Sequence, residues 1–277
     1  MRKLIFFLLL MTAAFATEAQ ILVTGGGEPM LADSVTRDFS NQPYFGIYKD
    51  NYFIFGPSVG PKANRQNTNV KFQISIAQRL TKGTLPWGTY LYLFYSQKCF
   101  WNVLENSMPM TDLNFNPGIG LTKPLFVKNR YIGKLTLLVE HESNGRDSIQ
   151  SRSWNRVALA ANVFLTKNLM VHAKAWVPIV DGENNRDIVR YCGIWQFGTQ
   201  VVSDNRRFTG GITITPRHKL GSCNLVVDFA FRIFKRENQY LFLQFYNGYG
   251  EGLLEYNKFH SQVRVGLLIR PKLFSDF

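Results

Sequence analysis

Apolar and polar residues alternate with a period of two along most of the chain. Val70, Phe72, Ile74 and Ile76 interleave with Lys71, Gln73 and Ser75. Leu225, Val227, Phe229, Phe231 and Ile233 interleave with Asp228, Ala230 and Arg232. Val263, Val265, Leu267 and Ile269 interleave with Arg264, Gly266, Leu268 and Arg270. This period predicts β-strands with one apolar face each. Further strands are expected at residues 44–55, 89–97, 135–143, 157–165, 171–177, 188–202, 208–214 and 241–245, with another that begins at 114 and closes at Lys123-Pro124. Turns are expected at Lys82-Gly83, Lys167-Asn168 and Asp204-Asn205, and longer loops at 56–68, 99–111 and 181–187.

The tally is about twelve strands, an even number, as in a closed bacterial barrel. The polar face carries Lys71, Asp228, Arg232, Arg264 and Arg270. Such charges suit a polar interior and are costly in lipid. The expected fold is therefore all-β: an antiparallel transmembrane β-barrel of outer-membrane type with its apolar face outward. A soluble sandwich would bury that face instead.

The start of the chain agrees. Arg2 and Lys3 precede an apolar stretch at 4–15 that is too short to span a bilayer, and Thr17 and Ala19 form a small-x-small cleavage pattern. Residues 1–19 are expected to be a signal peptide, 20–43 an N-terminal arm and 44–277 the barrel with its site. Aromatic residues make up 14% of the 277, which suits a membrane barrel. The net charge of +13 would suit nucleic acid, but export argues against that partner. Anionic lipid head groups and lipopolysaccharide fit better. Cys99, Cys192 and Cys223 have no metal-like spacing and leave room for one disulfide at most.

One hairpin carries candidate chemistry. Leu135, Leu137 and Val139 are apolar at odd positions, as are Val157, Leu159, Ala161 and Val163. His141, Ser143 and Asn155 are also odd, so they continue the lipid-facing rows. Paired strands would set His141 beside Asn155. A serine needs a base to take its proton, histidine can serve near neutral pH, and an amide can orient the ring without a carboxylate's charge. Gly145 permits a close backbone approach, and neighbouring carbonyls and hydroxyls could hold a hard cation such as calcium. Glu140 and Glu142 have the opposite parity and should point inward, which argues against paired-carboxylate catalysis. His172, His218 and His260 are isolated, and residues 247–250 read as a turn rather than a phosphate loop.

The segment His141-x-Ser143-Asn144-Gly145-Arg146, four residues, then Ser151-Arg152-Ser153-Trp154-Asn155-Arg156 resembles the signature of bacterial outer membrane phospholipase A. Val70-Lys71-Phe72-Gln73, Tyr246-Asn247-Gly248-Tyr249-Gly250-Glu251 and the closing strand to Phe277 extend the resemblance over most of the chain after residue 19. The resemblance implies a twelve-stranded barrel in the bacterial outer membrane and a calcium-dependent lipase with phospholipase A1, A2 and lysophospholipase activities. It implies Ser143 as nucleophile, His141 as base, Asn155 as orienter and Gly145 as oxyanion donor. It implies Ca2+ held by the Arg146 carbonyl and the Ser151 hydroxyl, with Ser107 of a second copy completing the site in an active homodimer that acts on membrane phospholipids. Gln97 matches a polar residue of the family's dimer interface. The alternative is a non-enzymatic outer-membrane pore or structural barrel that keeps the motif without the activity.

Overall fold

The alternating stretches close into a ring in a computed structural model, which describes residues 44–180, 182–219, 221–234 and 237–270. The strands are β1 (Phe45–Ile47), β2 (Asn51–Pro57), β3 (Thr68–Arg79), β4 (Tyr90–Trp101), β5 (Met110–Val127), β6 (Arg130–Ser143), β7 (Ser153–Phe164), β8 (Leu169–Ile179), β9 (Trp195–Val202), β10 (Phe208–Pro216), β11 (Cys223–Arg232), β12 (Gln239–Gly248) and β13 (His260–Ile269). Both β1 and β2 pair with β3, so together they make one interrupted stave. β13 pairs with β2, and β3 with β4, which closes a twelve-stave antiparallel barrel with no free edge. The expected signal peptide, the arm at 20–43 and the terminal Phe277 lie outside the described residues.

The faces fall as the alternation predicts. Leu137, Val139, Leu159 and Val177 are exposed on the outside, while Lys71, Glu140, Lys174, Arg264 and Arg270 are buried in the lumen. A charge in the lumen can be paired, and these are. Lys174 Nζ lies 2.6 Å from Glu140 Oε2, and Arg270 pairs with Asp50.

The segment at 249–259, between β12 and β13, folds into the lumen. Lys71 Nζ and Arg264 Nη1 lie 3.1 and 2.6 Å from Glu251 Oε1. Asn114 and Asp112 accept the backbone N–H groups of Leu253 and Leu254. Burial alone would raise the Glu251 carboxyl, but the charges of Lys71 and Arg264 hold it down at about 2. Leu253 and Tyr256 then pack with Leu138, Trp154, Trp176 and Ile188 in an apolar cluster. That cluster lies behind the β6–β7 hairpin and fixes its lumen face.

The structure corrects several sequence expectations. Residues 188–202 are not one long strand. Ile188–Cys192 forms a short helix, α1, ending at Gly193 (φ +69°), and β9 starts at Trp195. Adjacent apolar pairs at Ile188-Val189 and Tyr191-Cys192 break the alternation there, and Ile188 packs into the lumen. Lys123-Pro124 does not close β5, which runs on to a tight turn at Lys128 and Asn129 with φ of +48° and +61°. Pro124 is tolerated because pairing with β4 ends at Tyr90 opposite Thr122, so its missing N–H has no ladder acceptor to lose. The loop expected at 99–111 narrows to 102–109. All three cysteines are free thiols.

Candidate active site

β6 runs outward past Leu137 and Val139, which are 47% and 52% exposed, to His141 and Ser143 on the same outer row. β7 pairs with it in a register that sets Asn155 opposite His141 and Ser153 opposite Ser143. His141 Nδ1 and Asn155 Oδ1 lie 2.8 Å apart. An amide oxygen only accepts, so with Oδ1 as the partner Nδ1 is the donor, and in the neutral ring Nε2 then holds the lone pair. Ser143 stands two residues farther along the row, about 7 Å between Cα atoms at the usual strand rise. Its neighbours across the ladder are Phe115 on β5 and Ser153 on β7.

The lumen side of the hairpin is an ion network. Arg156 Nη2 lies 3.0 Å from Glu142 Oε2, and its Nε lies 3.7 Å from Glu140 Oε2. Trp154 Nε1 donates to Glu142 over 3.1 Å, and the Arg156 guanidinium sits 4.4 Å from the Trp154 ring centroid. Glu140 and Glu142 are therefore committed to interior partners, as their parity predicts. Sequence reasoning passed over Arg156 and Lys174. The lumen parity of Arg156 is readable from the alternation, but its sharing of the Glu140 carboxylate with the β8 lysine needs the strand neighbours.

The loop at 144–152 links the two strands and is clamped by one buried side chain. Asn144 Oδ1 accepts the N–H groups of Arg146 and Arg152 over 3.3 and 3.0 Å, and its Nδ2 donates to Gln150 O over 2.8 Å. Gly145 has φ +63°, and a Cβ there would lie 2.9 Å from the Phe115 ring. The Arg146 side chain reaches Gln150 Oε1 and Thr111 O. The neighbouring loop straps the far side. Asn185 donates to Ser153 O and accepts from Ser153 N–H, and Asn184 Nδ2 donates to Ser148 O. In the sequence Asn144 stood only as a member of the signature with no role of its own, and Asn185 fell in the polar loop at 181–187.

The loop carries oxygens of the kind that hard cations take. Among the described residues no group of three or more His, Cys, Asp or Glu could hold a metal, which argues against a zinc-type centre. The donors present are oxygens: the Arg146 carbonyl and the Ser151 hydroxyl, neither engaged in a hydrogen bond among the described residues. Carbonyl and hydroxyl oxygens are calcium-type ligands. Ser107 lies on the 102–109 loop at the same end of the barrel, exposed and with φ +65°, and makes no hydrogen bond to the 144–152 loop within the chain.

A family model for phospholipase A1 matches residues 43–269. A phospholipase A1 of Klebsiella pneumoniae is 29% identical over 256 residues, covering 85% of this chain and 86% of its own length. The phospholipase A1 of Escherichia coli strain K12 is 30% identical over 221 residues, covering 74% and 71%. The solved outer membrane phospholipase A from Escherichia coli superposes with a TM-score of 0.74 at 25% identity, over 84% of this chain and 95% of that one. A Salmonella typhi outer membrane phospholipase, solved as a dimer with bound calcium, gives a TM-score of 0.74 at 24% identity, over 88% of this chain and all of that one.

Proposed function

Because the chain belongs to the phospholipase A1 family of outer-membrane ester hydrolases, we propose that it hydrolyses phospholipid acyl esters through Ser143, His141 and Asn155 at the lipid-facing rim of its barrel. The observation that carries this reading is the 2.8 Å contact between His141 Nδ1 and Asn155 Oδ1 on the outer surface. In a barrel wall that row faces acyl chains, so an ester at the bilayer edge reaches the serine without leaving the membrane.

His141 Nε2 takes the proton of the Ser143 hydroxyl as Oγ attacks the acyl carbonyl. Asn155 fixes the tautomer and accepts from the imidazolium that forms. The Gly145 N–H donates to the developing oxyanion. His141 then returns its proton to the departing lysophospholipid alkoxide. A water deprotonated by the same nitrogen attacks the acyl-serine, the imidazolium gives that proton to the departing Ser143 Oγ, and fatty acid leaves. Calcium, when bound by the Arg146 carbonyl and the Ser151 hydroxyl, would add positive charge beside the oxyanion. A second copy of the chain would bring its Ser107 as a further oxygen ligand. The dimer and calcium of the Salmonella typhi relative support this assembly.

The pore alternative has little to rest on, since the 249–259 segment occupies the lumen with buried Glu251, Leu253 and Tyr256. The test is release of fatty acid from phospholipid by the purified protein with calcium. Ser143→Ala should abolish it; full activity in that variant overturns the reading.

A further inference from the structure

Pro117 interrupts the ladder beside His141. β5 and β6 pair Phe115 with Ser143 and Gly118 with Glu140, and no pairing forms between them. The common register sets Pro117 opposite His141. Pairing on the other side of β5, Tyr95 with Pro117, is intact, so the gap opens toward β6. A residue with an N–H at 117 would donate it to the His141 carbonyl, but proline has none. Asn116 fills the place: its Nδ2 donates to His141 O over 2.8 Å.

We propose that Asn116 is a positioning residue for His141, its side-chain amide standing in for the absent proline N–H and fixing the backbone that carries the imidazole. The Asn116 side chain lines the lumen with Lys98, Glu142 and Trp154, while His141 belongs to the outer row. The two meet only through the His141 carbonyl, so Asn116 acts through the main chain and never touches substrate. A base set off its line by even an ångström can cost about 100-fold in rate. The structure puts a ladder defect beside His141 and, next to it, a side chain that repairs it.

This rests on His141 as the base, and the test separates the two ideas. Wild type, Ser143→Ala, Asn116→Ala, Pro117→Ala and the Asn116→Ala/Pro117→Ala double variant are assayed for calcium-dependent phospholipid hydrolysis, with Tm measured alongside. Asn116→Ala should lower kcat about tenfold or more and leave KM within about twofold. The double variant, which regains a backbone donor at 117, should return to within about threefold of Pro117→Ala alone. A purely structural loss would not be rescued in this way. If Asn116→Ala assembles poorly, Asn116→Asp at mildly alkaline pH keeps the shape, lacks the N–H and carries the same expectation. Wild-type kcat in the asparagine variants, or an equal loss with and without Pro117, overturns the proposal. Hydrolysis surviving in Ser143→Ala overturns the triad and this proposal with it; an inactive Ser143→Ala beside an unimpaired Asn116→Ala overturns the proposal alone.

Discussion

Asn155 sits directly across the β6–β7 pair from His141, and its amide oxygen holds the imidazole Nδ1 at 2.8 Å. One strand register thus joins the proposed base and its proposed orienter across the two strands that flank the 144–152 loop. Asn155→Ala should lower kcat by about 10- to 100-fold, because the ring then loses both tautomer and orientation. Asn155→Asp keeps an acceptor but places a charge beside lipid, where desolvation is costly, and should fall between the two. Steady-state kinetics on phospholipid in mixed micelles measures both.

The proposed calcium dependence rests on a donor set of carbonyl and hydroxyl oxygens. A chelator should stop hydrolysis, and added calcium should restore it. Ser151→Ala removes one hydroxyl and should raise the calcium concentration for half-maximal activity by about tenfold or more, the cost of roughly one lost ligand interaction. Calcium titration of activity reads this directly, and an unchanged midpoint would remove Ser151 from the site.

Gly145 occupies the left-handed region, and its α-carbon faces the Phe115 ring. Gly145→Ala adds about 1–2 kcal/mol of backbone strain and pushes against that ring. The loop should shift, carrying the Gly145 N–H off the oxyanion. The expected loss is about 100-fold in kcat, with only a small change in Tm. Pairing the kinetic and melting measurements distinguishes a displaced donor from an unfolded barrel.

Glu251 gives the barrel an acid limit. Its folded pKa of about 2 lies below the ordinary 4.5, because Lys71 and Arg264 outweigh the opposing effect of burial. Stability from this group is therefore complete above about 4.5 and is lost as the pH falls toward 2. Tm of the wild type in detergent should drop through that window. Glu251→Gln should melt lower at neutral pH, by about 3–5 kcal/mol of stability for a broken buried pair, and show a shallower drop in acid. Parallel melting curves for the two proteins would expose the missing proton linkage.

Much of the site was readable from order along the chain alone. Alternation assigned Leu137, Val139, His141 and Ser143 to one outer row and Glu140 and Glu142 to the lumen, since a one-residue slip would have turned every side chain over. The signature from His141 to Arg156 pointed to a family, and family and fold both stand. Where local periodicity failed, so did the reading. Ile188–Cys192 curls into a helix because its apolar side chains fill the lumen, and β5 passes Pro124 because no β4 partner waits there.

Parity is a property of neighbours along one strand, so sequence by itself determined which side each residue faces. Partnership across the barrel is another matter. Lys174 reaching Glu140 and Asn116 repairing the gap that Pro117 leaves beside His141 need the register of neighbouring strands, and Glu251 seated between Lys71 and Arg264 needs the closure of β13 on β2. Register and closure are set by the whole sheet at once. Tertiary structure therefore decided what supports the row of the proposed triad, because the supporting charges can be buried only where the closed wall supplies their counterparts.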